Sequence, residues 1–109
     1  MTVPEYAEAL QISISQVREL LRERHLVAAR RGENNALYLP AGQLVDGENG
    51  PEILATVRGT IIVLADAGMS DTEIAEWLVT DNDELGESPL AALRSGKRAP
   101  VRRAAQSLF

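Results

Sequence analysis

Residues 2–40 constrain this chain most. They hold, in order, a short helical stripe, a tight break, a second helical stripe, and two short extended runs around a glycine turn. Thr2-Val3-Pro4-Glu5 has the spacing of a capping box, with Thr2 as N-cap and Glu5 reaching back. Pro4 falls in the first turn, where a proline costs little. The helix is predicted to run to about Leu10, with Tyr6, Ala7 and Leu10 turned inward. Gln11 and Ile12 make the turn, and Ser13 or Ser15 caps the next helix. There Ile14, Val17, Leu20 and Leu21 form one apolar stripe, opposite Ser15, Gln16, Arg18, Glu19 and Arg22. This helix is predicted to end near Arg24 or His25. Residues 26–30 then read as a strand, Gly32-Glu33-Asn34-Asn35 as its turn, and Leu37-Tyr38-Leu39 as the return strand stopped by Pro40. A short helical turn is expected over residues 41–44.

The rest of the chain reads as helical. Asp46-Gly-Glu-Asn-Gly-Pro51 is dense in breakers and is expected to be a linker between residues 1–45 and 51–109. Beyond it, Leu54, Val57, Ile61, Leu64 and Ala65 share one face, and Gly68 suits a helix end. Ser70-Asp-Thr-Glu73 is a second capping box, opening a helix with Ile74, Trp77 and Leu78 inward. Trp77 is expected in the core rather than on a ligand platform. Ser88-Pro89 opens a further helix that stops at Gly96, and Val101, Ala104, Ala105 and Leu108 mark the last one. The predicted fold class is mainly α: a winged helix–turn–helix with a small β-hairpin wing, followed by a helical C-terminal bundle.

Several function classes find no support in the residues. The chain has no Cys, which removes disulfides and thiolate metal sites and fits a reducing compartment. Its one histidine, His25, has no orienting partner for acid–base work. The Asp81, Asp83, Glu84 cluster lacks the glycine and distal glutamate of a calcium loop and reads as solvated acid. No phosphate-binding glycine motif or paired-histidine zinc motif occurs. No catalytic residue, metal or cofactor is therefore expected. The longest apolar run, Ile61 to Ala65, is far too short to span a bilayer. With no basic-then-apolar leader at residues 1–5, the expected address is the cytoplasm, in association with the nucleoid.

Charge is distributed unevenly. The net charge is −5, but residues 1–40 hold five Arg and five Glu, residues 41–95 hold two Arg and eleven acids, and residues 96–109 hold four cations and no acid. Base therefore sits at the ends and acid in the middle. A nucleic-acid footprint depends on local potential rather than the total.

A helix–turn–helix places the start of its second helix in the major groove. The residues expected there are Ser15, Gln16, Arg18, Glu19 and Arg22. Gln pairs bidentately with adenine, Arg with guanine, and Glu accepts from cytosine or pairs with a neighbouring Arg. The wing offers Arg30, Arg31 and Asn34 to phosphates or the minor groove. Lys97, Arg98, Arg102 and Arg103 are either a second phosphate-contacting patch or a solvated helix end.

The pattern Thr2-x-x-Glu5-x-Ala7-x-x-Leu10-x-Ile12-Ser13-x-x-x-Val17-x-x-Leu20-Leu21, then Leu26-x-Ala28-x-Arg30-x-Gly32 and Tyr38-x-Pro40, resembles the excisionase and MerR-type winged helix–turn–helix. Residues Gly59-Thr-x-x-Val63-Leu-x-Asp66-Ala-Gly68-x-Ser70-Asp71, Glu76-Trp77-Leu78 and Pro89-Leu90-x-Ala92-Leu93-x-x-Gly96 resemble the C-terminal region of a family of small actinobacterial DNA-binding regulatory proteins. The resemblance implies a non-enzymatic protein that binds double-stranded DNA, a transcriptional regulator or nucleoid-associated factor, through its second helix and wing. The residues from Trp77 also resemble the C-terminal domain of Xre/ParS-type antitoxins. That likeness implies the alternative, a protein-interaction module whose C-terminal helices bind a partner. Because one winged helix buries limited surface, tandem sites, or a homodimer or protein partner through those helices, are expected to supply the rest of the specificity.

Overall fold

Helix α1 spans Val3–Leu10 and α2 spans Ile14–Arg22 in the computed structural model, which describes residues 1–109. Both helices begin as their sequences dictate. The Thr2 hydroxyl accepts from the Glu5 N–H at 3.2 Å, and the Thr2 N–H donates to the Glu5 carboxylate at 2.8 Å. Ser13 and Gln16 repeat the arrangement at α2. Between them Gln11 takes a left-handed backbone, φ 56°, which closes α1 and lets Ile12 donate back to the Ala7 carbonyl. Ile14 departs from the predicted inward stripe: it is 43% exposed, while Val17 on the same helix is fully buried. Helix α2 also stops earlier than predicted, because Arg24 turns left-handed (φ 64°) and His25 donates back to the Leu20 carbonyl.

An extended strip follows and carries the two halves of the molecule. Leu26 and Ala28 point into one apolar cluster with Val3, Tyr6, Ala7, Val17 and Leu39. Val27 and Ala29 point into another with Val57, Ile61, Leu64, Ile74 and Leu78. A strand's side chains alternate sides, so four consecutive residues serve both cores. The strip ends in the wing, β1 (Ala29–Arg31) paired antiparallel with β2 (Ala36–Tyr38), in the register Ala29↔Tyr38 and Arg31↔Ala36. Gly32 at φ +77° and Asn35 at φ 52° make its turn.

The expected linker is a second hairpin. Strands β3 (Leu44–Gly47) and β4 (Gly50–Ile53) pair with Gly47 opposite Gly50, leaving Glu48 and Asn49 as a two-residue loop. Breaker-rich composition marks a turn as readily as a linker. What separates the two is the apolar residue on each flank: Leu44 and Ile53 pair across the strands and pack on the first cluster. Pro51 is accommodated because a two-stranded ribbon has free edges. Before this hairpin a 3-10 turn, Ala41–Gln43, buries Gln43 completely.

Four helices complete the fold: α3 (Val57–Asp66), α4 (Asp71–Val79), α5 (Pro89–Arg94) and α6 (Arg98–Gln106). Ser70 with Glu73, and Ser88 alone, cap α4 and α5 as their sequences predict. Trp77 packs against the second cluster while remaining partly exposed. Leu108 lies beyond the end of α6 and is 47% exposed, so it does not extend that helix's buried face. The whole is mainly helical with two small antiparallel hairpins, the first of them the wing. No helix is long and apolar enough to cross a membrane.

Candidate nucleic-acid interface

Ser15, Gln16, Arg18, Glu19 and Arg22 all lie exposed on α2. The structure divides them by role. Gln16 is the third residue of the α2 capping box: its Oε1 accepts from the Ser13 N–H at 2.8 Å. Bidentate pairing with adenine uses both ends of a carboxamide, and here one end already holds the helix start. Glu19 and Arg22 form an exposed ion pair. The Arg22 guanidinium, by hydrogen bond and by charge, holds the Glu19 carboxyl below its usual range. Arg18 forms no ion pair and is the unengaged cation of this helix.

The charge at the start of α2 differs from that of the other helices with capping boxes. Helix α1 has Glu5 in its first turn and α4 has Asp71 and Glu73. Helix α2 has no acid there, because glutamine fills the capping position. A helix N-terminus carries partial positive charge from its unpaired N–H groups. At α1 and α4 a carboxylate offsets it; at α2 it is left open to an outside anion.

The wing sits beside this helix and is braced from behind. The Arg31 guanidinium lies over the Tyr38 ring, 4.6 Å from its centroid. Register explains the contact: Arg31 faces Ala36, so Tyr38 is its diagonal neighbour two residues along the same face. The Arg30 side chain donates to the Asn35 carbonyl at 3.3 Å, and Asn34 stands exposed in the turn. The Arg30 N–H donates to the Thr72 hydroxyl at 3.0 Å, which docks the wing on the first turn of α4. Arg24 lies 3.6 Å from Asp71, and Arg58 of α3 donates to the Glu23 carbonyl at the end of α2. Arg94 of α5 donates to the Gly42 and Leu44 carbonyls. Sequence reasoning missed Tyr38, Thr72, Asp71, Arg58 and Arg94 as supports of this surface. Only Tyr38 was recoverable, from strand register; the others depend on contacts 35 to 52 residues away in the chain.

The cations of the C-terminal tail do not form one patch. Lys97 pairs with Glu87 at 2.7 Å. Arg98 and Arg102 turn toward the start of α3, and Arg103 is exposed on α6.

Residues 1–43 match the family described as DNA-binding protein Rv2175c, wHTH domain. Residues 54–108 match the Rv2175c C-terminal domain of unknown function. The chain belongs to the Rv2175c family. One relative is the DNA-binding protein Rv2175c of Mycobacterium tuberculosis (strain ATCC 25618 / H37Rv), 36% identical over 83 residues, or 76% of this chain and 53% of that protein. This chain thus spans about half the length of the curated relative it matches. The NMR structure of Rv2175c superposes with a TM-score of 0.79 at 30% identity, covering 99% of this chain and 80% of that one. The family match agrees with the winged-helix order of the first half and the helical order of the second, and the two matched stretches leave only the β3–β4 hairpin region between them.

Proposed function

We propose that this chain is a non-enzymatic DNA-binding protein that presents the first turns of α2 to the major groove and lays the wing along the phosphate backbone. The observation that carries this reading is the acid-free, glutamine-capped start of α2. It leaves the helix dipole open to phosphate where α1 and α4, the other helices with capping boxes, neutralise theirs. The relative's designation as a DNA-binding protein supports it independently. Arg18 is assigned to base edges, Ser15 and Arg31 to phosphates, and Gln16 to holding the helix end. Tyr38 steadies Arg31 from below, as a cation resting on an aromatic face. A role in transcription or in nucleoid organisation follows from such binding, and a second copy or a protein partner supplies the surface one winged helix lacks. The C-terminal helices bury their apolar faces on one another and on the base of the wing, which favours the DNA-binding reading over that of a partner-binding module.

Gln16→Glu tests the proposal, because glutamate keeps the capping box but restores a carboxylate at the helix start. Its melting temperature is expected to stay at or above that of the unaltered chain. Its affinity for a selected duplex, read by fluorescence polarisation, is expected to fall about tenfold at low salt. Arg18→Ala is expected to weaken the selected site more than random DNA, and Arg31→Ala to weaken both and flatten the salt slope by about one unit. Absence of binding to any duplex at low salt overturns the proposal.

A further inference from the structure

A pocket between α3 and α6 has the chemistry of an anion site. Its volume is about 190 Å³, and its walls are Ala55, Thr56, Gly59, Arg98 and Arg102. Arg98 and Arg102 are one helical turn apart on α6, so both guanidiniums reach the same opening. Neither forms an ion pair, and no acid lines the pocket. Two polar atoms among its walls are buried without a hydrogen-bond partner in the protein, the Thr56 hydroxyl oxygen and Arg102 Nε. Both atoms are closed off from solvent as placed, so they meet a ligand once the Thr56 hydroxyl rotates and the Arg102 guanidinium tilts toward the opening, and an unmet buried polar atom favours that movement. Gly59 makes the room. A Cβ at that position would stand 2.6 Å from Arg102 Nη2, the far end of a flexible side chain, so an added methyl displaces the guanidinium from its place against the first turn of α3. Thr56, at the N-cap of α3, makes no capping hydrogen bond with its side chain, so its hydroxyl remains free to turn into the pocket. The larger hollow behind the wing is lined by one cation and one acid, Arg30 and Asp71, so its charge balances and it lacks the unopposed positive wall of the α3–α6 pocket.

The geometry points to a phosphate-binding site in this pocket, in which Arg98 and Arg102 hold a phosphate group against the Thr56 hydroxyl and the positive end of α3. The phosphate comes either from a DNA backbone or from a free phosphate-bearing solute. The pocket chemistry is the same for both, and the site does not rest on α2 contacting DNA. The test is a titration of the full-length, nitrogen-15-labelled chain with inorganic phosphate at constant ionic strength, chloride serving as the control. The signals read are the Nε–Hε groups of Arg98 and Arg102 and the amides of residues 57–60. Phosphate is expected to shift them saturably and chloride not. Arg102→Ala, Gly59→Ala and the surface change Arg98→Ala are each expected to weaken phosphate binding about tenfold. A second titration with a short duplex separates the sources. Shifts at the same signals, competed by phosphate, assign the site to a DNA phosphate; shifts confined to α2 and the wing assign it to a free solute. Non-saturating shifts no larger than those of chloride, or phosphate affinity unchanged in folded Arg98→Ala and Gly59→Ala proteins, overturn the site. Loss of the α2 shifts alone would instead count against the DNA reading and leave the pocket standing.

Discussion

Gln43 shows how one residue can secure a backbone that has no other partner. Its Oε1 accepts from the Val27 N–H at 2.9 Å and its Nε2 donates to the Val27 carbonyl at 3.0 Å. Val27 lies on the strip between the cores, ahead of the wing strands, and no strand pairs with it. Gln43 therefore substitutes for a missing ladder partner, and its own carbonyl accepts from Leu54, where the helical half begins. Gln43→Leu keeps the volume but leaves both Val27 groups buried and unpaired, so it is expected to lower unfolding free energy by about 2–4 kcal/mol in urea titrations. Tyr6, buried nearby, donates its hydroxyl to the Pro40 carbonyl. Burial pushes its phenol up to about 12. The unfolded chain releases that proton from about pH 10, where the folded chain still holds it. Stability is thus full below pH 10 and is expected to fall by about 1.4 kcal/mol per pH unit as pH rises to about 12. Tyr6→Phe is expected to cost about 1 kcal/mol at neutral pH and to abolish that alkaline decline.

At the scale of the element, the three capping boxes differ in one atom group with large consequences. Glu5 and Glu73 accept from the N–H groups of Thr2 and Ser70, and those backbone hydrogen bonds hold both carboxyls below the ordinary 4.5. Their contribution to stability is present above that value and is lost as pH falls through the lower folded values. Replacing both with Gln is expected to flatten the acid limb of a pH–stability profile measured by urea midpoint. A profile as steep as before would show that the caps do not set it. Gln16 gives α2 the same geometry with nothing to titrate. The cap of this helix is therefore insensitive to acid. The Thr2–Glu5 and Ser70–Glu73 boxes were legible from residue types three apart, because a capping box is a local contact. The Ser13–Gln16 box has the same spacing, but sequence alone leaves that cap between Ser13 and Ser15 and offers Gln16 to the groove. The β3–β4 hairpin was not legible, since glycines and a proline in series suit a linker and a turn equally. Which of the two forms depends on what the flanking Leu44 and Ile53 find to cover them.

At the scale of the molecule, the two halves are not beads on a string. Leu26 and Ala28 enter one core and Val27 and Ala29 the other, while Arg24, Arg30, Arg58 and Arg94 tie the surfaces together. A single cooperative transition is expected by calorimetry and circular dichroism alike. Val27→Ala is expected to lower its free energy by about 2 kcal/mol without splitting it. Two resolved transitions would refute the shared strip. The same coupling gives the surface formed by α2 and the wing its rigidity, since the wing is held on α4 rather than on its own two short strands.

The helices, the capped starts of α1, α2, α4 and α5, the wing and the exposed polar face of α2 were determined by local sequence: helical periodicity, caps and turn glycines act within a few residues. The division of labour among the exposed side chains was only partly local: Gln16 caps α2 through Ser13 and Arg22 pairs with Glu19, each three residues away. The tertiary structure decided the rest: it paired Lys97 with Glu87 and Arg24 with Asp71, and it set Arg98 and Arg102 beside the start of α3. A sequence shows which charges a chain carries. Which of them remain unpaired depends on distances between residues far apart in the chain, and those distances exist only once both cores have closed.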